Sequence, residues 1–406
     1  MAERDAADLV IVGAGTVGGW ASVFAREAGA ERVVVLEREV AGIGASSRAA
    51  GMVRAQGGSP DTVRLGTWSI AFYLDQSARY GTDSGFRGQG YLILASTAAD
   101  ERAAADRIAM QRSAGLDARW VDAARARRLS PRLGEVGFRG GSYVATDGWL
   151  DPPRNVRAYG LAMQRAGVEL RERTAFTGLR TRAGRGDARV VTGVETTAGT
   201  IAAPRVLLTG GPSLREVAKL AGARAFVGGA RHQVVVTEPH PDLAPELFGA
   251  MVFDIRAGIY WRPEEGGLLW GMSNPAETPG KARAFDWTYQ RRMQRRLHRL
   301  VPVTSELGIK KAWAATIEYT PDHLPLLGPL VDRDGREIAG ASIAGSCGHG
   351  MMWGPAVARI ASDLALDGRT EVVDRPEDFR MDRFDEHGRS PFLDPVALPF
   401  PAVVDD

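Results

Sequence analysis

The hydrophobic pattern opens with a short buried-strand run over Asp8–Val12. A turn carrying Gly13, Gly15 and Gly18 follows, then an apolar helical stretch to about Gly29 and a second apolar run over Arg32–Glu37. That order predicts strand, tight turn, helix and strand, a βαβ unit in which a glycine-rich turn acquires chemical meaning. From Gly44 to Gly58 the residues are small and polar with no clean period, the pattern of a chain laid across a ligand, and Gly66–Tyr80 reads as a helix. Strand patterns at Gly88–Ala95 and Gly137–Ala145 bracket a polar-faced helix, Thr97–Gly115, so the chain changes there from βαβ to β-rich. Pro152–Gly167 returns to helix and is followed by alternating strands at Val168–Arg173, Val190–Thr197 and Thr200–Leu208. Arg231–Glu238 and Ile259–Met272 are strand-like, Trp287–Leu300 is a basic helix, and Trp353–Leu366 closes the helical pattern. A Pro- and Asp-rich tail after it is expected to wrap the surface.

These elements predict an α/β (α+β) protein: a Rossmann-like nucleotide-binding domain interleaved with a mainly antiparallel β-sheet substrate domain flanked by helices. The expected boundaries are 1–85, 148–225 and 315–380 for the first domain, 86–147 and 226–314 for the second, and 381–406 for the tail. A length of 406 residues suits two such domains.

Composition narrows the function classes. With 44% hydrophobic and 25% charged residues the chain is an ordinary globular protein. Its 51 basic and 49 acidic residues give a formal charge of +2, so no global field gathers nucleic acid or an anionic membrane, and neither is expected as a partner. The single cysteine, Cys347, excludes an internal disulfide and a Cys-based zinc cluster. His232, His240, His298 and His387 show no metal-ligand spacing, so no metal is expected. No run reaches the ~20 apolar residues of a membrane span. The start is acidic overall and leads straight into an apolar strand, unlike the basic start and separate apolar stretch of a secretory signal, and a cytoplasmic location is expected.

The glycine triplet carries the first chemistry. Gly13, Gly15 and Gly18 allow a tight turn, close approach of backbone to a pyrophosphate and close helix-to-strand packing. Glu37, 24 residues after Gly13, ends the second strand, where a carboxylate can accept both ribose hydroxyls. Glutamate there disfavours a 2′-phosphate and hence NADP. It leaves NAD and FAD open.

Further blocks bear on that choice: Gly44 to Arg54 with Ser46, Ser47 and Arg48; Thr209 to Ser213; Tyr260 to Arg262 with Gly267 to Gly271; Thr320 to Gly328; and Gly345 to Met352. Together they resemble, in order and over almost the whole chain, the FAD-dependent oxidoreductases of the D-amino acid oxidase, sarcosine oxidase and dimethylglycine dehydrogenase superfamily. The resemblance implies FAD held by Gly13, Gly15, Gly18, Glu37, Arg38, Ser46, Ser47, Arg48, Gly51, Met52, Gly210, Gly348, Gly350 and Met351. Arg48 falls where the covalent dehydrogenases carry a flavin-linked histidine, and Ala315 where monomeric sarcosine oxidases carry a flavin-linked cysteine. Noncovalent FAD is therefore expected, with Cys347 as a buried core thiol. Leu269 stands in the place of a lysine that activates oxygen, which tilts the expectation toward a dehydrogenase.

The same resemblance implies a substrate carboxylate on Arg54, although Met352 replaces the lysine that completes the clamp. Tyr260 offers a phenolic hydroxyl beside the ring, His349 an imidazole in the loop over the flavin, and Trp270, Met272 and Met352 an apolar pocket. Arg54, Tyr260 and His349 are thus the catalytic candidates. The implied reaction is oxidation of a C–N bond in a secondary or N-methyl amine or a D-amino acid, by hydride transfer to flavin N5 and hydrolysis of the imine. Oxygen or an electron-transfer protein would take the electrons, and a homo-oligomer is open. Two alternatives stand beside it: oxidation of a 2-hydroxy acid, and service as the flavin subunit of a multi-subunit complex resembling sarcosine oxidase.

Overall fold

The computed structural model describes residues 5–135, 137–185 and 188–403. It opens with β1 (Leu9–Val12), α1 (Thr16–Glu27) and β2 (Val33–Leu36), the predicted βαβ unit trimmed by a residue or two at its ends. Every residue of both strands is buried, as expected of parallel strands covered on both faces. β1 pairs in parallel with β2 on one side and with Val206–Leu208 on the other. Glu337–Gly345 and Glu169–Arg171 extend this parallel centre, and a nine-stranded sheet results. One face is covered by α1, the helix Pro60–Tyr80 and the closing helix Gly354–Leu366, with Trp20, Phe24, Phe72 and Trp353 in one cluster. The short helix Leu214–Leu220 lies in the cluster on the other face.

The second sheet is built around β3 (Gly228–Thr237), β4 (Ile259–Glu264) and β5 (Gly267–Ser273); α2 (Trp287–Leu300) and β6 (Ile309–Tyr319) follow in the chain. The order is β6, β3, β5, β4, then Met251–Asp254, Tyr91–Ala95, Gly140–Val144 and Arg119–Asp122. All neighbours are antiparallel except Met251–Asp254 with Tyr91–Ala95. Met293, Leu297 and Leu300 of α2 cover one face, packed with Trp261, Trp270 and Met272. Tyr91, Phe253, Tyr260 and Leu269 occupy the other.

Three sequence expectations change. Ile259–Met272 is a hairpin rather than one strand, because Glu265 and Gly266 both take positive φ, as a two-residue turn of the hairpin type requires. Thr200–Leu208 divides into Gly199–Ala202 and Val206–Leu208, with Pro204, which has no N–H for a ladder, between them. The tail does not merely wrap the surface: Asp394 and Val396 are fully buried, and Leu398 and Phe400 reach the central cavity.

Candidate active site

A cavity of about 500 Å3 runs from the β1–α1 turn to the inner face of the second sheet. At its nucleotide end Gly13 has φ of +106°, and a Cβ there would meet the Thr209 carbonyl at 2.7 Å. Gly18 lies off the cavity; a Cβ on it would sit 1.9 Å from the Gly13 carbonyl oxygen, so its absent side chain lets α1 approach the strand. Gly15 precedes α1 without a side-chain cap, and no acidic residue occupies the first turn, which leaves the helix N-terminus electropositive. Ser46 fixes this end by accepting a hydrogen bond from the Thr16 N–H at 3.0 Å. The Glu37 carboxylate accepts from the Ala14 N–H at 3.1 Å and the Glu39 N–H at 2.9 Å, so both oxygens are held in place at the end of β2.

Arg38, Arg48, Gly51, Met52, Gly210, Gly348, Gly350 and Met351 also line the cavity, whereas Ser47 does not. Arg48 and Ala315 stand in its wall, so neither of the two anticipated attachment places offers a thiol or an imidazole. Cys347 is buried away from the wall against Thr320, and burial pushes its thiol up to about 12, a range in which it is inert.

At the far end Arg54, Tyr260, His349 and Met352 come together in the lining. Trp270 and Met272 do not. Successive residues of β5 alternate between faces, and these two point into the α2 side of the sheet, while Leu269, Gly271 and Ser273 take the cavity side. Leu269 packs in the cluster beneath Tyr260 rather than in the wall. Gly271 is obligatory for another reason: the Tyr260 ring crosses it, and a Cβ would come within 2.1 Å of the phenolic oxygen.

Arg54 is 2% exposed, and its guanidinium donates to the backbone carbonyls of Gln56 and Val396. Among the described residues it has no carboxylate within ion-pair distance. The chain beside it is anchored by buried Asp147, which accepts from the Ala55 N–H at 2.8 Å and the Gln56 side chain at 3.0 Å; burial raises this carboxyl to about 7. The His349 ring lies 4.1 Å from Trp353, its buried Nδ1 makes no hydrogen bond among the described residues, and burial followed by the nearby Arg54 charge pushes the imidazole down to about 3. His349 is therefore neutral at physiological pH.

Sequence reasoning passed over His232. It lines the cavity, with Nε2 hydrogen-bonded to the Tyr260 hydroxyl and Nδ1 2.9 Å from Ser273 Oγ. The link depends on β3 pairing with β5 so that His232 faces Ser273, a register that spacing along the chain does not reveal. Glu318 was missed for the same reason. It lines the cavity from β6, bound to the Ser346 hydroxyl at 2.8 Å, and its carboxyl is raised by burial.

Burial pushes His232 down to about 4 from its ordinary 6.5. Between those values the unfolded chain binds a proton that the folded protein does not, so stability falls as pH drops through this window. Asp147, raised by burial, works in the opposite sense, so the histidine is isolated by comparing variants. Urea unfolding at pH 7 and pH 4.5 with saturating FAD should show His232→Gln losing on the order of 2 kcal/mol less than wild type. Equal losses would contradict a neutral buried imidazole.

Residues 8–364 match the model of a family described as FAD dependent oxidoreductase. The chain belongs to that family. This flavoprotein is 28% identical to glycine oxidase from Geobacillus kaustophilus over 88% of this chain and 92% of that protein. It is 26% identical to the formaldehyde-forming 4-methylaminobutanoate oxidase of Paenarthrobacter nicotinovorans over 88% of this chain, and it spans 43% of that relative's length. The fold is shared with L-proline dehydrogenase from P. horikoshii, at a TM-score of 0.85 and 23% identity over 94% of this chain and 98% of that one. FAD is thus the cofactor, and the electropositive turn, the fixed Glu37 carboxylate and the open cavity fit it. Among the described residues no His, Cys, Asp and Glu cluster could hold a metal, and no helix is long and apolar enough to cross a membrane.

Proposed function

We propose that the flavoprotein oxidises the C–N bond of a small amine or amino acid bearing a carboxylate. The single observation that carries this reading is the Arg54 guanidinium, buried in the cavity wall with no carboxylate within ion-pair distance among the described residues. An uncompensated buried charge is strongly unfavourable, and a ligand carboxylate is the partner a guanidinium accepts in bidentate fashion. Bound FAD supplies the acceptor for a hydride from the carbon that carries nitrogen.

The chain's own groups handle position and charge. Arg54 fixes the substrate's α carbon through its carboxylate. The neutral amine releases hydride, and the positive charges of Arg54 and Arg48, with exclusion of water, lower the amine's pKa. Tyr260 receives a hydrogen bond from His232 or gives one to it, which holds its hydroxyl at the substrate end of the cavity. Neutral His349, whose Nδ1 has no hydrogen-bond partner among the described residues, can accept a hydrogen bond from substrate.

Leu269 in place of a cation supports slow reaction with oxygen, hence a dehydrogenase whose electrons pass to another acceptor. The lone buried thiol is in keeping with a cytoplasmic setting. The test is anaerobic mixing of the yellow holoprotein with N-methyl amino acids, D-amino acids and 2-hydroxy acids. Bleaching by an amino acid, with faster reoxidation by a dye than by oxygen, is expected; bleaching by hydroxy acids alone would replace this reading.

A further inference from the structure

The family match ends at residue 364, yet the wall of the cavity includes residues well beyond it. The segment that supplies them is fixed at each step. Arg383 and Asp322 form an ion pair at 2.7 Å with both side chains nearly inaccessible, anchoring the approach of the tail. The Asp394 N–H then donates to the Asp322 carbonyl at 2.9 Å, and Asp394 Oδ1 accepts from the Val396 N–H at 2.7 Å, a tight local turn. Gly58 has no room for a Cβ because Asp394 and Pro395 lie against it at 2.5 and 2.6 Å. Val396 is fully buried with Ala50, Tyr91, Phe253 and Tyr260, the same side chains that face the far end of the cavity. Leu398 and Phe400 then enter the lining. The Phe400 ring stacks on Tyr319 at 4.9 Å and meets His323 edge-on at 5.6 Å, and its tip would touch a Cβ on Gly348 in the loop that precedes His349.

The bond from Arg54 to the Val396 carbonyl connects this segment to charge recognition. A guanidinium has five N–H donors, and the bonds to Gln56 and Val396 use one on each terminal nitrogen. One N–H on each terminal nitrogen is left over, enough for a carboxylate, and two carbonyls hold the fork in a fixed orientation.

We propose that residues Asp394–Phe400 form part of the substrate site, with the Val396 carbonyl positioning Arg54 and Leu398 and Phe400 selecting for an apolar body on the substrate carboxylate. This rests on the reading of the cavity as the site of FAD and a carboxylate. A segment lying outside the family match thereby sets which member of the amine and amino acid class is accepted. Phe400 and Leu398 are specificity determinants; Val396 is a positioning residue.

The holoprotein is titrated with acetate and with benzoate, binding being followed by the change in flavin absorbance. Phe400→Ala and Leu398→Ala are compared with wild type and with Leu393→Ala, whose side chain is 64% exposed on the same segment. Retained flavin absorbance reports folding. The expected result is benzoate binding weakened about tenfold in Phe400→Ala, from the lost contact of a partly buried aromatic wall, with acetate changed less than threefold and Leu393→Ala like wild type. Equal weakening of both ligands, or none, would overturn the selective role.

A second arm is independent of any carboxylate. Cys347 is buried and unreactive, so Phe400→Cys and Leu393→Cys each introduce one reactive thiol for N-ethylmaleimide. Phe400→Cys should label at least tenfold more slowly in the holoprotein; labelling as fast as Leu393→Cys would remove the segment from the cavity. If neither acetate nor benzoate perturbs wild-type flavin, Arg54 is not a carboxylate holder, and the labelling arm alone decides whether the tail is a wall.

Discussion

Replacing Arg54 by glutamine should raise KM for a carboxylate-bearing substrate by about 30- to 150-fold, which corresponds to about 2–3 kcal/mol for a charge-assisted, bidentate contact. FAD content should stay near wild type, because Arg54 stands at the far end of the cavity from the β1–α1 turn. Arg54→Lys should recover little: an ammonium cannot reproduce a planar fork that satisfies two carbonyls and still presents two donors. The buried environment sharpens the effect: burial raises the nearby Asp147 and Asp394 carboxyls, and neither lies within ion-pair distance of Arg54. Steady-state kinetics on the best substrate of the reduction screen make the measurement. An unchanged KM in Arg54→Gln would sink the carboxylate reading.

The second large effect belongs to the nucleotide end. Gly18→Ala adds one methyl group, and it must sit 1.9 Å from the Gly13 carbonyl oxygen and 2.5 Å from Thr209 Oγ1. Neither neighbour is the far end of a flexible side chain. α1 therefore has to move away from β1, and its N-terminus leaves the position from which it faces a pyrophosphate. A loss of about 3 kcal/mol or more in stability, the upper part of the overpacking range, is expected, with FAD content below about a tenth of wild type. Gly160→Ala is the control, since a Cβ on Gly160, in the helix Pro152–Arg165, meets nothing within 4 Å. It should retain FAD and gain about 1 kcal/mol, because glycine is a poor helix former. The ratio of flavin to protein absorbance, with thermal unfolding, reads both. Full occupancy in Gly18→Ala would contradict close helix-to-strand packing as the role of that glycine.

The nucleotide end was legible because its chemistry is local. A turn, a helix N-terminus and a strand-end carboxylate lie within 25 residues of one another, from Gly13 to Glu37, and each depends on neighbours in the chain. The rest of the cavity wall draws on Arg54, His232, Tyr260, Glu318, His349 and Phe400, brought together by two sheets and a returning tail. Trp270 and Met272 show the difficulty in its simplest form. Alternation along β5 places them on one face together, and nothing in the strand itself says whether that face meets the cavity or α2. His232 shows it again, because its bond to Tyr260 and contact with Ser273 exist only once β3 and β5 are in register.

By itself, the sequence determined the βαβ opening, the interleaving of α/β and β-rich stretches, the glycine turn and its acidic partner, and the family resemblance that implies FAD. Tertiary structure alone decided which face of each strand looks inward, that Arg54 is buried with no carboxylate at ion-pair distance among the described residues, that His232 supports Tyr260, and that the tail walls the cavity. The reason is physical: hydrogen-bonding and turn preferences act between residues close in the chain, whereas burial, pairing register and desolvation are properties of surfaces that exist only after distant segments have packed.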